Sequence, residues 1–278
     1  MTIKETDFGV RISDFGGINL GLTLDCGQAF RWRRLADGAF AGVVKGKAAR
    51  IAEGGGDLIF LGCGKEEFSE LWHPYFGFDT DYGRILSILS RNPFLAGCIE
   101  KYGVIRILRQ EPFETLCSFI ISACNNIPRI KGIIERMSKK YGEEIGGGLF
   151  AFPSAETLAG LSEDELLAVG TGFRAGYIID AAKKAASGEL DFGLIKSLPV
   201  EEAKKSLMTV RGVGEKVADC VLLFGLGFMN AYPVDRHIKR ITAEVYPGGL
   251  PECVKNYEGI AQQYLFVEKA GFYKNRIS

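Results

Sequence analysis

Residues 207–220 read LMTVRGVGEKVADC, and this stretch decides the fold of the second half of the chain. It predicts a helix that ends near Thr209, a tight turn that uses Gly212 and Gly214, and a second helix that begins at Glu215. Glycine permits positive φ and lets the backbone approach another molecule closely. The unpaired N–H groups at the start of the second helix would then bind an anion. The same pattern also fits an αα-hairpin that is buried in a core.

Lys216 lies in the first turn of the predicted second helix. The helix macrodipole and partial burial both disfavour a cation there, which favours the neutral amine that a nucleophilic lysine needs. Nineteen residues later, Asp235 follows Pro233 and Val234 and precedes another helical run. Its minimum role is an N-cap that accepts a backbone N–H bond, and its carboxylate would also be able to face Lys216.

Ahead of the hairpin, the sequence changes from β to helical periodicity. Short runs at 29–33, 40–44 and 57–61 are separated by glycine-containing turns and predict an antiparallel sheet. From Tyr82 onward the apolar spacing is helical, and Ser162 with Glu165 predicts a capping box. The predicted fold class is α+β, with a β domain over 1–80 and a mostly helical region over 81–278. The hairpin occupies about 203–227 of that region.

Composition describes an ordinary folded chain of about two domains. Its 278 residues are 47% hydrophobic and 24% charged, and 34 basic side chains balance 34 acidic ones. The charge is unevenly distributed, because residues 101–140 carry eight basic and three acidic side chains and residues 141–200 carry four and nine. This pattern predicts either a basic face for a polyanion or two solvated helix faces of opposite sign.

Seven cysteines form no C-x-x-C pair, which argues against a zinc ribbon or a disulfide framework and suits a reducing cytosol. We therefore expect no metal and no cofactor. The N-terminus has no apolar signal-peptide core, and the most apolar stretch, 217–234, is interrupted by Asp219, two glycines and Pro233. A soluble, intracellular and monomeric protein without a membrane span is expected.

Six motifs in this sequence resemble those of the helix-hairpin-helix DNA glycosylases whose glycine- and proline-rich loop ends in aspartate. Within that superfamily the chain is similar to the 8-oxoguanine DNA glycosylases over nearly its whole length. The motifs are CGQAFRW at 26–32, SFI at 118–120 leading into NNIPRI at 125–130, GFRA at 172–175, KVADC at 216–220, PVDRH at 233–237 and GIAQQYLF at 259–266. The resemblance implies a twisted antiparallel sheet packed on two helical lobes, with a lesion pocket between the lobes.

The resemblance implies a bifunctional enzyme that excises 8-oxoguanine and then nicks the strand by β-elimination. Lys216 would attack C1′ and form a Schiff base, and Asp235 would stabilise the positive charge that develops on the sugar. For the flipped base, Phe266 and Cys220 would form a sandwich and Gln262 would read the Watson–Crick edge. The carbonyl of Gly27 would accept a bond from N7–H, which guanine lacks. Without the family, Cys220 and Phe266 would be ordinary core residues.

The resemblance also implies contacts to double-stranded DNA, preferably with cytosine opposite the lesion. Arg129 and Arg174 would donate to the orphaned cytosine, Phe173 would wedge beside it and Asn125 would fill the gap. The hairpin, with Gly212 and Gly214, and also His237 would contact phosphates.

Departures from the family pattern are a cysteine at 124, where an asparagine is usual, and Phe173, where a tyrosine is common. A short segment after Phe266 without a basic tail favours a prokaryotic, cytoplasmic, nucleoid-associated enzyme. Two alternatives stay open, a non-catalytic helix-hairpin-helix DNA-binding protein and a sister glycosylase with another damaged base as substrate. A pure binder would have no reason to desolvate Lys216 opposite Asp235. Sisters with an iron–sulfur cluster need four closely spaced C-terminal cysteines, whereas only Cys253 follows residue 220.

Overall fold

The computed structural model describes residues 1–270, and it has the predicted α+β architecture. The strands are β1 (Thr2–Thr6), β2 (Gly9–Ser13), β3 (Trp32–Arg34), β4 (Phe40–Val44), β5 (Lys47–Gly54), β6 (Asp57–Leu61), β7 (Glu144–Gly146) and β8 (Leu149–Phe150). The helices are α1 (Leu20–Asp25), α2 (Lys65–Glu67), α3 (His73–Tyr75), α4 (Tyr82–Leu89), α5 (Pro93–Tyr102), α6 (Pro112–Ser122), α7 (Ile127–Tyr141), α8 (Ala155–Ala159), α9 (Glu163–Ala168), α10 (Ala175–Ser187), α11 (Phe192–Lys196), α12 (Val200–Leu207), α13 (Glu215–Val221), α14 (Arg236–Val245) and α15 (Glu258–Ala270). Short 3-10 or π-helical segments lie at Phe68–Trp72, Gly172–Arg174, Leu222–Leu226 and Glu252–Val254.

The N-terminal sheet has six strands in the order β1-β2-β6-β5-β4-β3, and every neighbouring pair is antiparallel. Val10 of β2 pairs with Phe60 of β6, and both side chains are buried on the same face of the sheet. The predicted strands at 40–44 and 57–61 are confirmed as β4 and β6. The antiparallel sheet that the alternating pattern predicted therefore forms.

The predicted strand at 29–33 is wrong at its start, because β3 begins only at Trp32. The preceding loop is held by the buried amide of Gln28, which donates to the carbonyls of Thr23 and Arg106 at 2.9 and 2.8 Å. Its Oε1 accepts from the backbone N–H of Leu108 at 2.9 Å. These bonds hold the segment before Trp32 as a loop.

Helices also occur within the first eighty residues, although helical spacing was predicted only from Tyr82 onward. The segment from Lys65 to Tyr75 is continuously helical, and Phe68 and Trp72 pack from it onto the sheet. The domain boundary at 80/81 stays a prediction. Contacts cross it in both directions, since Leu108 packs in the core of the sheet while Leu22, Cys26 and Phe30 pack in the core of the helical region.

The helical region is built around α6, whose residues Phe113 and Thr115–Ile121 are buried. Phe119 of α6 stacks on Phe224, which follows α13, with ring centroids 5.5 Å apart. The predicted capping box of Ser162 and Glu165 is confirmed at the start of α9. None of the helices in residues 1–270 has the length and apolar character that crossing a membrane requires.

Candidate active site

The predicted hairpin is present, with its first helix ending at Leu207 rather than near Thr209 and its second beginning at Glu215 as predicted. Gly212 has a φ of +80°, and a Cβ there would lie 2.2 Å from the ring of Tyr177. Only glycine therefore fits beneath that ring in this conformation. Gly214 is the N-cap of α13, has open space around it and provides no side-chain cap. The start of α13 thus keeps N–H groups that can receive an anion.

An ion pair that the sequence did not reveal joins the two helices of the hairpin. Lys204 of α12 lies 2.9 Å from Oδ1 of Asp219 on α13. Burial raises the pKa of Asp219, and Lys204 opposes that shift by hydrogen bonding and by its charge. This mostly buried pair therefore links α12 to α13 across the turn.

Lys216 extends from the first turn of α13 toward α6. Its Nζ lies 3.4 Å from Oγ of Ser122 and 5.0 Å from the centroid of the Phe119 ring. The Ser122 hydroxyl in turn donates to the carbonyl of Phe119 at 2.7 Å. In the described residues no direct ion pair joins Lys216 to Asp235, so the amine rests on a hydroxyl and an aromatic face.

Cys220 lies one helical turn after Lys216 and is 2% exposed. Burial raises the pKa of its thiol to about 11, although the neighbouring Lys216 partly opposes the shift. The thiol is therefore neutral near pH 7 and presents an uncharged, polarisable surface beside the amine.

Asp235 is the N-cap of α14, as predicted. Its Oδ1 accepts from the backbone N–H groups of His237 and Ile238, both at 2.8 Å. His237, in the first turn of the same helix, accepts a bond from Arg236 Nε at Nε2 over 3.3 Å. The two cap bonds hold the Asp235 carboxylate in place at the edge of the cavity that Lys216 enters.

A cavity of about 70 Å³ brings together residues from distant parts of the chain. Its walls include every residue to which the family resemblance gave a role in the reaction or in binding the flipped base: Gly27, Lys216, Cys220, Asp235, Gln262 and Phe266. Cys26, Phe119, Phe224, Pro233 and Gln263 complete the walls. One chemically mixed pocket therefore contains an amine, a carboxylate, two thiols, two amides and aromatic rings.

Gly27 lies in the loop that Gln28 fixes, and its φ is +96°. A Cβ at this position would be 3.2 Å from Cδ1 of Ile127 and 3.9 Å from the Phe266 ring. A side chain would be strained by the backbone conformation and crowded by the cavity wall. Glycine therefore lets the backbone border the pocket without strain or crowding.

Gln262 and Phe266 lie one turn apart on α15, so both reach the same cavity. Gln262 is buried, and its Nε2 donates to the carbonyl of Pro233 at 3.2 Å. The adjacent Gln263 donates from Nε2 to Oε1 of Gln262 at 2.7 Å. The amide of Gln262 is thus held from both sides.

Near the turn before α7, the side chains predicted to contact the opposite strand differ in their availability. Phe173 is 63% exposed and meets Tyr177 edge to face, and Arg129 is exposed in the first turn of α7. Asn125 is engaged with the backbone, donating to the carbonyl of Ile121 and accepting from the N–H of Asn126. Phe173 and Arg129 are therefore the two that are free to meet a ligand.

Arg174 has a different environment from the one expected for a DNA contact. It is 4% exposed, and its guanidinium donates to the carbonyls of Ala123, Thr171 and Cys124. Burial lowers its pKa, and the nearby charge of Arg129 adds to this effect. In this conformation Arg174 fixes the loop before α7, and its role toward cytosine stays a prediction.

The predicted basic face contains fewer free basic side chains than the eight counted over residues 101–140. Arg106 is buried against carbonyls, and Lys101, Arg109 and Lys131 are paired with Glu268, Asp79 and Asp25. The exposed basic side chains of α7 are Arg129, Arg136, Lys139 and Lys140. Within residues 1–270 no group of three or more His, Cys, Asp or Glu side chains is arranged to hold a metal ion.

Family comparisons agree with this geometry. Residues 117–250, which contain the hairpin, Lys216 and Asp235, match the model described as HhH-GPD superfamily base excision DNA repair protein. The fold and this match place the chain in the HhH-GPD superfamily of base excision DNA repair proteins. Residues 12–116 match the model of the 8-oxoguanine DNA glycosylase N-terminal domain.

Individual relatives place the chain more narrowly. It is 36% identical to the 8-oxoguanine glycosylase/lyase of Clostridium acetobutylicum, whose structure holds DNA with cytosine opposite 8-oxoG, with a TM-score of 0.89 over 98% of this chain and 99% of that one. It is 31% identical over 251 residues to the N-glycosylase/DNA lyase OGG1 of Arabidopsis thaliana, covering 81% of this chain and 65% of the relative. The N-glycosylase/DNA lyase of Saccharomyces cerevisiae is 38% identical over 157 residues, covering 51% and 42%. The chain belongs to the 8-oxoguanine DNA glycosylase family, and it spans less than two thirds of the length of these two curated relatives.

Proposed function

We propose that this protein is a bifunctional DNA repair enzyme that releases 8-oxoguanine from duplex DNA and then nicks the strand. The observation that carries the proposal is the single cavity that collects Gly27, Lys216, Cys220, Asp235 and Gln262 from separate parts of the chain. A protein that only bound DNA would need the hairpin but would not need an amine enclosed with a carboxylate and a thiol.

Lys216 is the proposed nucleophile. Its neutral amine attacks C1′ of the flipped nucleotide, the bond between C1′ and the base breaks, and the base leaves with the bonding electrons. The amine then loses a proton and the sugar ring opens to give an imine between Nζ and C1′. Removal of a proton from C2′ expels the 3′ phosphate, which cuts the strand. Water alone would release the base but would form no imine.

Asp235 is the proposed electrostatic partner of this reaction. Positive charge develops on the sugar as the base departs, and a carboxylate that its own cap bonds hold still stabilises that charge without reorganising. The resting contacts of Lys216 with Ser122 and Phe119 are weak enough to be given up when a nucleotide enters. The neutral thiol of Cys220 leaves an uncharged wall for the base.

Recognition of the DNA is proposed to be divided among three surfaces. The start of α13 receives a phosphate, the cavity receives the extruded base, and exposed Phe173 and Arg129 face the gap and the opposing cytosine. Flipping costs a few kcal/mol, which the contacts in the cavity offset. A monomeric enzyme in a prokaryotic cytoplasm, without a cofactor, stays the expectation from the sequence.

Incubation with duplexes that carry 8-oxoguanine opposite each of the four bases, followed by borohydride reduction, tests the proposal. We expect release of the base, a nicked strand and a covalent protein–DNA adduct, with the highest rate opposite cytosine. Binding without release would favour the non-catalytic alternative. Release of mismatched adenine, oxidised pyrimidines or alkylated purines, but not of 8-oxoguanine, would favour the sister glycosylase.

A further inference from the structure

We propose that Gln263 is a specificity-determining residue that fixes the orientation of the Gln262 amide and thereby selects which Watson–Crick edge the cavity accepts. This inference rests on the proposed function, in which Gln262 reads the flipped base. Gln263 is 3% exposed and lines the cavity beside Gln262. Nothing in the resemblance assigns it a role.

The polarity of the amide follows from a backbone carbonyl that can only accept. Because the carbonyl of Pro233 lies 3.2 Å from Gln262, the group that faces it must be the donor Nε2. Oε1 then lies on the other side of the amide, where Nε2 of Gln263 donates to it at 2.7 Å. The thiol of Cys26 lies 3.4 Å from Oε1 of Gln263, so the far end of the second amide also has a contact. Every donor therefore meets an acceptor along the series of contacts from Pro233 through Gln262 and Gln263 to Cys26.

Gln262 keeps one acceptor and one donor for a ligand. Oε1 has two lone pairs and uses one for Gln263, while Nε2 has two N–H bonds and uses one for Pro233. The free lone pair of Oε1 is on the side of the amide near Gln263, and the free N–H of Nε2 is on the side near Pro233. A base that pairs with Gln262 must present a donor and an acceptor in the matching order.

Guanine-type and adenine-type bases present opposite orders. A guanine-type edge has an N1–H donor beside an O6 acceptor, whereas an adenine-type edge has an N1 acceptor beside an N6–H donor. A freely rotating amide would pair with either edge by turning over. Since Pro233 and Gln263 hold it in one orientation, the wrong edge meets donor against donor and acceptor against acceptor, which is costly in a buried site.

Two lesions isolate this effect, because 8-oxoguanine and 8-oxoadenine have the same C8 oxygen and N7–H and differ along the Watson–Crick edge. The experiment measures single-turnover release of each lesion, placed opposite cytosine in the same duplex sequence, by the wild type, Gln263→Glu and Gln263→Met. A carboxylate at 263 can only accept, so it would draw Nε2 of Gln262 toward itself and set Oε1 against the Pro233 carbonyl. A methionine of similar length removes the bond without imposing the opposite orientation.

We expect the wild type to favour 8-oxoguanine and Gln263→Glu to shift the ratio of the two rates toward 8-oxoadenine by about tenfold or more. Gln263→Met should shift the ratio in the same direction by less. Nicking of a duplex with a preformed abasic site is the internal control. Because this reaction involves no base, the nicking rate of each variant reports whether Lys216 and Asp235 are still in place.

An unchanged ratio in Gln263→Glu overturns the inference, even if both rates fall. If a variant neither nicks the abasic site nor releases either lesion, the inference is also overturned, because Gln263 would then be a packing residue. A failure of the proposed function looks different, since the wild type itself would not release 8-oxoguanine.

Discussion

At the scale of single residues, two positions have a backbone conformation that few side chains tolerate. Gly27 and Cys124 both have positive φ, at +96° and +51°. Glycine adopts this region at no steric cost, whereas a cysteine there is strained. The first residue borders the cavity and the second precedes the helix that carries Arg129.

Gly27→Ala should leave the fold and abasic-site nicking largely intact while lowering release of 8-oxoguanine by about tenfold or more. The added methyl group would strain the loop and press on Ile127, displacing the carbonyl proposed to accept from N7–H. Single-turnover assays on the two substrates measure this directly. Wild-type release of 8-oxoguanine by the variant, with guanine still ignored, would show that the carbonyl is not the sensor.

Cys124→Asn should raise the free energy of unfolding by roughly 0.5 to 1 kcal/mol, because asparagine tolerates the left-handed region better than cysteine does. Cys124 is exposed, so the change alters little packing. Urea denaturation measures the difference, with Cys124→Ala as the matched control that removes the thiol without favouring positive φ. Equal stability of the two variants would contradict the explanation.

At the scale of elements, the sequence predicted the helices and strands whose signal lies within a few neighbouring residues. The strands β4 and β6, the capping box of Ser162 and the start of α13 at Glu215 are confirmed. The loop at Gln28, the helical segment around Phe68 and the pair of Lys204 with Asp219 could not be predicted. Each depends on a contact with a residue far away in the sequence or on packing against the sheet.

Glu114, near the start of α6, gives the protein a predicted pH dependence. Burial raises its pKa to about 7, against an ordinary 4.5, even though Arg31 opposes the shift. The folded state therefore binds this proton more tightly than the unfolded state, so stability is lost as pH rises from about 4.5 through about 7. The largest effect that this shift allows is about 3 kcal/mol.

Glu114→Gln should remove this pH dependence. Relative to the wild type, the free energy of unfolding of the variant should increase as the pH is raised from 4.5 to 8. Denaturation curves at several pH values measure this, and Glu135→Gln on the exposed face of α7 is the matched control. A difference between Glu114→Gln and the wild type that stays constant with pH would contradict the expected titration.

At the scale of the whole molecule, the site is assembled from a loop after α1, the hairpin, the start of α14 and one face of α15. Six of the thirteen residues that the sequence singled out meet in the cavity, because family motifs record such long-range neighbours when periodicity cannot. Arg174 shows the limit of that approach. Its position in a motif does not reveal that its guanidinium donates hydrogen bonds to the carbonyls of Ala123 and Thr171.

Because Arg129 is exposed and Arg174 is buried, substitutions of the two arginines should have different effects. Arg129→Ala should reduce the preference for cytosine over adenine opposite the lesion by about 1 to 3 kcal/mol, with little change in stability. Arg174→Ala should lower the midpoint of thermal unfolding, because it leaves buried carbonyls without donors. Release assays with each opposing base and thermal melts separate the effects. An unchanged order of preference in Arg129→Ala would place the selectivity elsewhere.

The central claim is that Lys216 attacks the damaged nucleotide, and borohydride trapping on a duplex with 8-oxoguanine opposite cytosine tests it most directly. Lys216→Gln is compared with Lys205→Gln, which changes an exposed lysine on α12 of the same hairpin. We predict that Lys205→Gln forms the covalent adduct and releases the base like the wild type. Lys216→Gln should bind the duplex yet form no adduct and release no base. A trapped adduct with Lys216→Gln would contradict the account, because another amine would then be the nucleophile.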